Sequence, residues 1–559
     1  MQETRRTPRL SKSRFQLGLQ CAKGLWLKCH RPELADPIDE SQQAIFDQGT
    51  EVGRLAQRRF PGGVLIDEPY YETASALEST ARALEAGAPA LFEAAFEADG
   101  VLVRVDILNR VGSQKAYVDE AVGATTSSSG GTEAISLAGG EGERRRVAGT
   151  FDLVEVKSST KRKEEHVTDL AIQRYVLEKC GVGVDRALLM HLNHHYIYQS
   201  GEHDPLQAFA FDDATEDVSL WLPEIPSRLA QMCEMLAGEM PEMTIGRHCS
   251  HPYVCSFHGF CHQGLPEYPV TELPRKGRDL LDQLIREGIW SIKDIPEHYE
   301  DLTKTQRRVR RVVVEGRPWF SETILEILGG LRYPLYFLDF ETLHPALPVY
   351  AGTHPYLQIP FQFSLHVLER GESVASSGTE PDDDILDEEA SAKISCSLGR
   401  LTHHEFLWEE PTDPRPALIP ALLDALGTEG SIIVYTHFEN TILRYLAEAY
   451  PQYAEQIEAV QGRLFDLEKE VIREHTMHPE YRGSTSIKHV LPALVPELSY
   501  DDLAIDNGDV ATLRYVSAVF GEASEGERQK IFKDLKEYCG RDTLAMVRLL
   551  EAVYRSKIT

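Results

Sequence analysis

The sequence predicts an α/β protein in which a helical segment joins two mixed α/β regions, and three observations support this. The chain has 559 residues, which is more than an ordinary single core requires. Strand-like and helix-like patterns alternate over residues 1–264 and again over 331–559. Between them, residues 265–330 are polar and helical in pattern. A hydrophobic content of 42% and a charged content of 26% are those of a globular chain.

The first region contains two helix patterns and two strand patterns around a low-complexity segment. Residues 14–27 (RFQLGLQCAKGLWL) predict a helix, and residues 101–110 (VLVRVDILNR) predict a strand rich in β-branched residues. Residues 123–146 are rich in Gly, Ser and Thr, which predicts a disordered excursion. Strand character resumes over 150–159, and residues 166–181 predict a helix with a glycine at its end.

The middle segment has short helical patterns, and the second region has several strand patterns and a long final helix. Residues 265–330 contain two short helical patterns, which fit either a helix-hairpin-helix or a simple helical connector. YPLYFLDFETL, which ends at Leu343, is a nearly continuous apolar strand. Residues 528–556 predict a long final helix. Further strand patterns occupy residues 361–369, 405–410 and 430–439.

Charge and hydropathy indicate which partners, nucleic acid or membrane, the protein can have. The net charge of −30 disfavours a polyanionic partner over the whole surface. Short basic stretches at 161–163 and 304–317 nevertheless predict a modest, channel-like basic surface, because binding depends on the phosphates that are contacted. The N-terminus lacks an apolar signal region, and no apolar run is long enough to span a bilayer. We therefore expect a cytoplasmic protein with no membrane partner.

The first candidate catalytic group consists of two carboxylates, a lysine and a glutamine. Residues at i and i+2 of a strand point to the same side, so Glu155 and Lys157 project together. Asp106 joins them if its strand pairs beside theirs, and Gln173 lies on the inward face of the following helix. Two carboxylates can hold a divalent cation, and the lysine can stabilise charge or orient water. An isolated E-x-K is more often a solvated strand face.

Four cysteines predict a metal centre that is held by both ends of the first region. Cys21 lies far upstream of Cys249, Cys255 and Cys261, which are spaced C-x5-C-x5-C. Three unrelated thiols remain one reading, and a zinc site with nearby histidines is another. Zinc sites usually have closer cysteine pairs, whereas iron–sulfur clusters use four cysteines with more varied spacing. The spacing therefore favours an iron–sulfur cluster, and the odd total of nine cysteines argues against a disulfide framework.

These residues resemble the RecB-like PD-(D/E)xK nucleases that carry an iron–sulfur cluster. The resemblance implies a restriction-endonuclease-like domain over residues 1–264, with Asp106, Glu155 and Lys157 at its catalytic positions. It also implies that the four cysteines bind a 4Fe-4S cluster. The early metal-binding His of that family has no counterpart in residues 46–56, where Glu51 is the candidate substitute, and the Q-x3-Y pattern is altered after Gln173.

The second candidate catalytic group lies in the second region and consists of acids from separate elements. Asp339 and Glu341 sit at i and i+2 of the strand that ends at Leu343, so both leave one face. Such a pair in an apolar strand is unfavourable unless metal or solvent satisfies it. Glu439 shares a helical face with apolar residues, and Tyr538 and Asp542 are spaced i, i+4 on the last helix. Four inward acids on separate elements predict a metal site.

This pattern resembles the RNase H-like DEDD exonucleases, with D-x-E on the first strand and Y-x3-D on the last helix. The resemblance implies that residues 331–559 form an RNase H-like domain with two Mg²⁺ or Mn²⁺ ions, in which Tyr538 positions the attacking water. Glu439 stands where that family normally has Asp. Asp466 and Lys488 match secondary positions, and Lys488 is a candidate phosphate contact.

Both halves together resemble a bacterial family of uncharacterised proteins that fuse a RecB-like nuclease domain to an RNase H-like domain. We therefore expect a metal-dependent nuclease, with DNA favoured over RNA, in DNA repair, recombination or defence. One alternative is a non-catalytic nucleic-acid-binding adaptor with a structural metal centre. Another is an RNA exonuclease that uses only the second region.

Overall fold

A computed structural model describes residues 9–112, 135–137, 145–147, 149–274, 279–370 and 399–558. The chain divides into two compact units. The first unit consists of residues 1–264 and 345–356, and the second consists of residues 265–344 and 357–559. Both units are mixed α/β, as the sequence predicts. The segment 265–330 belongs to the second unit.

A seven-stranded mixed sheet forms the centre of the first unit. Its path is β2-β3-β4-β7-β8-β9, and β1 pairs in parallel with β4. The pairs β3–β4, β4–β7 and β8–β9 are antiparallel, whereas β2–β3 and β7–β8 are parallel. The strands are β1 Leu10–Ser11, β2 Val64–Leu65, β3 Ala90–Ala98, β4 Val101–Arg110, β7 Thr150–Lys157, β8 Gly183–Leu192 and β9 Phe209–Asp213.

The predicted disordered excursion over 123–146 falls largely outside the described residues. Two short strands in this stretch, β5 Ile135–Leu137 and β6 Arg145–Val147, pair in antiparallel fashion. The helices of the first unit are α1 Lys12–Gln20, α2 Ala22–His30, α3 Glu40–Gln57, α4 Thr73–Glu85, α5 Glu164–Lys179, α6 Pro205–Ala208, α7 Thr215–Trp221, α8 Ile225–Ala237 and α9 His258–His262.

The residues of β4 and α5 explain how the first unit buries its core. Val101, Val103, Val105 and Ile107 of β4 are buried, and the intervening residues, Asp106 among them, face the other side. Helix α5 packs beside the sheet with most of its length buried, including Gln173. Among the described residues, no helix combines the length and apolar character needed to cross a membrane.

A five-stranded mixed sheet in the order β13-β12-β11-β14-β15 forms the centre of the second unit. Strand β11 lies in the middle, antiparallel to β12 and parallel to β14. The strands of this sheet are β11 Leu335–Leu343, β12 Ile359–Leu368, β13 Leu401–Leu407, β14 Ser431–Val434 and β15 Leu464–Asp466. A separate pair, β10 Trp319–Phe320 and β16 Thr476–Met477, is antiparallel.

Helices cover the central strands of the second sheet, because every residue of β12 and nearly every residue of β11 is buried. The helices of the second unit are α10 Leu280–Arg286, α11 Lys304–Glu315, α12 Ile324–Gly329, α13 Arg415–Leu426, α14 Phe438–Ala449, α15 Ala454–Gln461, α16 Ile487–Leu494, α17 Gly508–Phe520 and α18 Glu525–Ile558. Short 3₁₀ or π turns occupy Pro32–Leu34, Arg247–Cys249, Val270–Glu272, Ile292–Asp294, Pro451–Tyr453, Glu468–Arg473 and Pro479–Tyr481.

Two predicted elements differ in their bounds from the observed ones. The single helix expected over 14–27 is divided at Cys21, whose backbone is extended and whose Sγ accepts a hydrogen bond from the Gly24 amide. A side chain that caps a new helix in this way ends the preceding one. The strand expected over 430–439 ends at Val434, and α14 begins at Phe438.

Candidate functional site

Pairing of β4 with β7 brings the predicted carboxylates of the first unit together. The strands are antiparallel with Ile107 opposite Val154, and the Val156 amide donates a hydrogen bond to Asp106 Oδ2 at 2.8 Å. Glu155 is only 1% exposed, and the Lys157 ammonium lies 2.8 Å from its Oε1. Asp106, Glu155 and Lys157 therefore form one group, as their spacing predicts.

Two residues complete the contacts of the Glu155 carboxylate. The amide of Gln173, on α5, donates to Glu155 Oε2 at 2.7 Å and to the Asp169 carbonyl oxygen at 2.9 Å. Gln173 Oε1 is buried and has no hydrogen-bond partner. The Lys12 ammonium donates to the two Glu155 oxygens at 2.8 and 3.0 Å and lies 3.8 Å from Asp106 Oδ1. The positive charge of Lys12 thus lies between the two carboxylates.

The pKa values of Asp106 and Glu155 are shifted in opposite directions, by burial and by the two lysines respectively. Burial, and then the neighbouring Glu155 charge, raise the pKa of Asp106 to about 7. Burial alone would raise the pKa of Glu155 as well, but Lys12 and Lys157 outweigh it and hold that pKa below its usual range. Glu155 is therefore ionised and paired at neutral pH, whereas Asp106 is the titratable member.

Sequence reasoning missed three residues of this group. Lys12 carries no local signal, since it meets Glu155 only through the fold. Asp169 lies four residues before Gln173 on the same face of α5, and it accepts from the Lys157 ammonium at 2.7 Å. Glu93 lies on β3 between Phe92 and Ala94, which pair with the two neighbours of Asp106 on β4, and it has a left-handed φ of 55°. Burial raises the pKa of Glu93, and Lys12 and Glu155 both act on it.

Glu51, the candidate substitute for the missing metal-binding histidine, does not join the group around Glu155. Glu51 is an exposed residue of α3. No hydrogen bond or ion pair joins it to Asp106 or Glu155 among the contacts of the described residues.

The four predicted cysteine ligands line one small, largely enclosed space. Cys21 lies between α1 and α2, Cys249 ends a 3₁₀ turn, Cys255 lies in the loop that follows, and Cys261 belongs to α9. Gly24 lies beside them, and a Cβ at that position would be in ordinary van der Waals contact with Cys255 Sγ, at 3.5 Å. The side chain of Gln20 holds the downstream loop, donating to the carbonyl oxygens of residues 248 and 253 at 2.7 and 2.8 Å.

Electrostatics and spacing bear on which metal centre these thiols fit. Burial raises the pKa of Cys249, Cys255 and Cys261, and each of the three is also raised by another of the four cysteines. In the described residues, no three of these sulfur atoms lie within 4.8 Å of one another. A tetrahedral zinc site with Zn–S bonds of about 2.3 Å places its sulfurs about 3.8 Å apart.

Of the three histidines that could replace a cysteine as a metal ligand, two line the same space as the cysteines and one does not. His248 and His258 line the same space, and His248 Nε2 lies 3.8 Å from Cys249 Sγ. His258 stacks on His262 with ring centroids 3.7 Å apart. His251 is exposed and does not line that space.

In the second unit, acids from three elements converge on the central strand. Asp339 and Glu341 lie on β11, Glu439 lies in the first turn of α14, and Asp542 lies on α18. Asp339 and Glu439 are hydrogen-bonded to each other, and Asp542 acts electrostatically on both. Glu341 and Glu439 are 6% and 3% exposed. All four predicted acids are thus brought together.

The pKa values of these acids are raised because burial and mutual repulsion disfavour several negative charges in one place. Burial, followed by Asp542 and the other acids, raises the pKa of Asp339 and of Glu341 well above the usual range. Burial raises the pKa of Glu439 to about 8. Burial also raises the pKa of Asp542 to about 6, although hydrogen bonds from Tyr500 and Tyr538 oppose the shift.

Tyrosines, a lysine and a fifth acid surround the cluster. Tyr500 Oη donates to Asp542 Oδ1 at 2.5 Å, and Tyr538 is hydrogen-bonded to the same carboxylate. Lys488 is exposed on α16 and acts on Glu341 and Asp542. Asp466 accepts from the Lys469 amide at 2.8 Å and acts electrostatically on Glu439. Sequence reasoning missed Tyr500, which has no motif of its own.

A cleft of 730 Å³ lies beside the N-terminal end of α14. Its lining includes His437, Phe438, Asp466, Thr485 and Ser486. Because Glu439 directly follows Phe438 in the chain, this cleft adjoins one member of the acid cluster.

Comparison with known proteins finds similarity to families described only as uncharacterised. The model of a family described as a domain of unknown function, DUF2779, matches residues 336–486. That stretch contains Asp339, Glu341 and Glu439. An uncharacterized protein of Mycoplasma pneumoniae, described as an MG366 homolog, is 25% identical over 228 residues. The match covers 38% of this chain and 31% of that protein, so the chain spans under a third of the relative's length.

Removing divalent cations with a chelator should make the second unit sensitive to pH. Acids whose folded pKa is raised contribute stability below the unfolded pKa of about 4, and that contribution is lost as pH rises through the folded pKa. With folded pKa values of about 6 for Asp542 and about 8 for Glu439, we expect the melting temperature to fall from pH 5 towards pH 8. Circular dichroism melts in chelator at several pH values measure this.

The matched variants for that experiment are Asp339→Asn and Asp424→Asn. Asp339→Asn replaces a carboxyl that must stay protonated in the folded state with a neutral amide, so it removes that cost and should raise stability at pH 8 in chelator by about 1–2 kcal/mol. Asp424 is exposed on α13, so its variant should melt as the wild type does. Equal pH profiles for all three proteins would contradict the raised pKa values.

The four-cysteine centre predicts a coloured protein. Chain purified without oxygen should be brown and contain about four iron atoms, and Cys255→Ser should lose both properties. Cys233→Ser is the matched control, because Cys233 is a half-buried cysteine of α8 in the same unit and does not line the cysteine space. A colourless wild type that contains one zinc would contradict the iron–sulfur cluster. The prediction that a metal centre links Cys21 to the downstream cysteines would still stand.

Proposed function

We propose that this protein is a metal-dependent nuclease that hydrolyses phosphodiester bonds, with DNA as the favoured substrate. The observation that carries the proposal is the convergence of Asp339, Glu341, Glu439 and Asp542 in one buried cluster beside two tyrosines. Buried like charges are unfavourable unless a cation neutralises them. A carboxylate set of this kind is what a two-metal phosphodiesterase site requires.

The second unit is proposed as an RNase H-like exonuclease domain. Its D-x-E pair lies on the first strand of the central sheet, and its Y-x3-D pair lies on the last helix, α18. Mg²⁺ or Mn²⁺ bound there would polarise the scissile phosphate and lower the pKa of a bound water. The acids would hold the cations, Tyr538 and Tyr500 keep Asp542 oriented, and exposed Lys488 can meet a phosphate.

The first unit is proposed as a RecB-like PD-(D/E)xK domain with an iron–sulfur cluster. Asp106 and Glu155 would hold a divalent cation, and the Val156 amide keeps Asp106 in position through its 2.8 Å hydrogen bond. The cluster would tie the start of the unit, at Cys21, to its end, at Cys249, Cys255 and Cys261. Such a tie constrains a long closed loop and stabilises the fold around the carboxylates.

One observation favours a second candidate function, an exonuclease that cuts only in the second unit. The ammonium of Lys12 already neutralises Glu155 and reaches Asp106, so a cation in the first unit must displace it or share the carboxylates. In that case the first unit would serve as a binding module. The acids of the second unit have no comparable lysine contact at hydrogen-bond distance among the described residues.

The binding surface for the phosphate backbone is proposed to include the basic face of α11. Lys304, Arg307, Arg308 and Arg311 lie within about a third of the helix circumference, and Val309, Val312 and Val313 are buried on another face. Arg307 and Arg308 donate to backbone carbonyl oxygens at 2.9 to 3.3 Å, so these hydrogen bonds hold the guanidinium groups without neutralising them. This is a concentrated positive surface on a chain with net charge −30.

The proposed activity predicts separable losses in a cleavage assay with Mg²⁺ or Mn²⁺. Asp339→Ala should reduce exonuclease activity by more than about 100-fold, because loss of even outer residues of a metal site costs about 10- to 100-fold. Glu155→Ala removes whatever cutting belongs to the first unit. Each variant is assayed on single- and double-stranded DNA and RNA, which shows how much of the cleavage belongs to each unit. Asp424→Ala is the control.

The double variant decides the proposal. If Glu155→Ala combined with Asp339→Ala still degrades nucleic acid at the wild-type rate, both site assignments are wrong. If the wild type and all four variants bind DNA and none cleaves it, the adaptor alternative replaces the nuclease.

The basic face of α11 predicts a change in salt dependence. Arg307→Glu combined with Arg311→Glu should weaken DNA binding at every sequence tested and lower the slope of log K against log salt by about 1.5–2. Arg444→Glu is the control, because Arg444 is an exposed helix arginine that is paired with Glu448 at 3.3 Å. Fluorescence anisotropy at several salt concentrations measures the slope, and an unchanged slope in the double variant would exclude this face.

A further inference from the structure

Cys539 lies inside the acid cluster of the second unit, where no motif placed it. It follows Tyr538 on α18 and precedes Asp542 by three residues, so it shares a helix face with that acid. Its side chain is fully buried. Ligand atoms of Asp339, Glu341 and Cys539 all lie within 4.8 Å of one another, and the thiol Sγ lies 3.7 Å from Asp339 Oδ2.

An independent observation shows that one buried oxygen of the cluster has no hydrogen-bond partner. Glu439 is 3% exposed and is hydrogen-bonded to Asp339, yet its Oε2 has no hydrogen-bond partner. A buried carboxylate oxygen without a partner is unfavourable by several kcal/mol in ordinary packing, so such groups mark the place of a missing ion or water. The unsatisfied oxygen belongs to the same cluster as the thiol.

The surroundings of Cys539 differ from those of a cysteine that only fills space. Cys180 in the first unit is half-buried, and its thiol donates to a backbone carbonyl oxygen at 3.4 Å. Cys539 instead faces a carboxylate, and the charges of Asp339, Glu341 and Asp542 all act on it. An alanine would fill that position without bringing a polar thiol towards three acids. Carboxylates and a thiol around one point form a mixed oxygen–sulfur ligand set.

We propose that Cys539 is a metal ligand and that the site therefore takes a thiophilic divalent cation of the Zn²⁺ or Co²⁺ class in one of its positions. This inference deepens the proposed function and rests on the acid cluster being a metal site. Thiolate sulfur favours these ions over Mg²⁺, which prefers oxygen ligands and octahedral geometry. On binding, the S–H bond breaks, the proton leaves to solvent, and the sulfur electron pair forms the bond to the cation.

Cobalt binding tests the proposal without using activity. Co²⁺ is titrated into the full-length protein purified without oxygen, in which the proposed iron–sulfur cluster would occupy Cys21, Cys249, Cys255 and Cys261. The wild type should develop a sulfur-to-cobalt charge-transfer band, and Cys539→Ser should not. Cys233→Ser removes a half-buried cysteine outside the acid cluster and should keep the band.

Calorimetry adds a second readout. Cys539→Ser should weaken Zn²⁺ binding by about 10- to 100-fold while Mg²⁺ binding changes by less than about twofold. If Cys539→Ser does not fold by circular dichroism, cadmium NMR of the wild type replaces it, because the chemical shift reports sulfur ligation directly. A shift typical of oxygen ligands alone would overturn the proposal.

The outcomes separate this inference from the proposed function. An unchanged cobalt band and unchanged Zn²⁺ affinity in Cys539→Ser would mean that Cys539 only packs, and the nuclease would stand if Asp339→Ala still abolishes cleavage. Loss of the band together with full cleavage by Asp339→Ala would mean that the thiol binds metal at a site that does not cut. Loss of both supports the two proposals together.

Discussion

The second unit depends on one electrostatic constraint, which is the burial of several carboxylates around its central strand. Asp339 and Glu341 occupy β11, where almost every neighbouring side chain is apolar and buried. Burial and mutual repulsion raise the pKa values of the whole set, so these acids favour their protonated forms when no cation neutralises them. Hydrogen bonds from two tyrosines relieve only Asp542. Such an unfavourable arrangement is the reason for proposing that the cluster binds cations.

The first unit satisfies its buried carboxylate in a different way. Glu155 is surrounded by donors from three elements, namely Lys12 on α1, Lys157 on β7 and Gln173 on α5. Its pKa is therefore depressed, whereas the acids of the second unit are raised. Similar residue types thus reach opposite electrostatic states, because lysines pair directly with Glu155, whereas among the described residues no lysine lies at hydrogen-bond distance from the acids of the second unit. This difference makes the second unit the stronger candidate for catalysis.

The parts of each site that the sequence could predict are those set by local spacing. The i, i+2 pairs of β7 and β11 and the i, i+4 pair of α18 follow from backbone periodicity alone. Element boundaries were less predictable, because capping by the Cys21 side chain ends α1, and hydrophobicity patterns do not carry that information. Lys12, Tyr500 and Cys539 were missed, since each acts on residues brought near only by folding.

The sequence by itself determined the fold class, the side of each strand on which an acid projects, and the cysteines that are available as ligands. These follow from periodicity and residue chemistry, which act over a few neighbouring positions. Only the tertiary structure decided which groups meet, such as Lys12 with Glu155, 143 positions apart, or Cys539 with Asp339, 200 apart. Such meetings are set by the packing of whole elements, and packing determines the charge, burial and partners that give a side chain its chemistry.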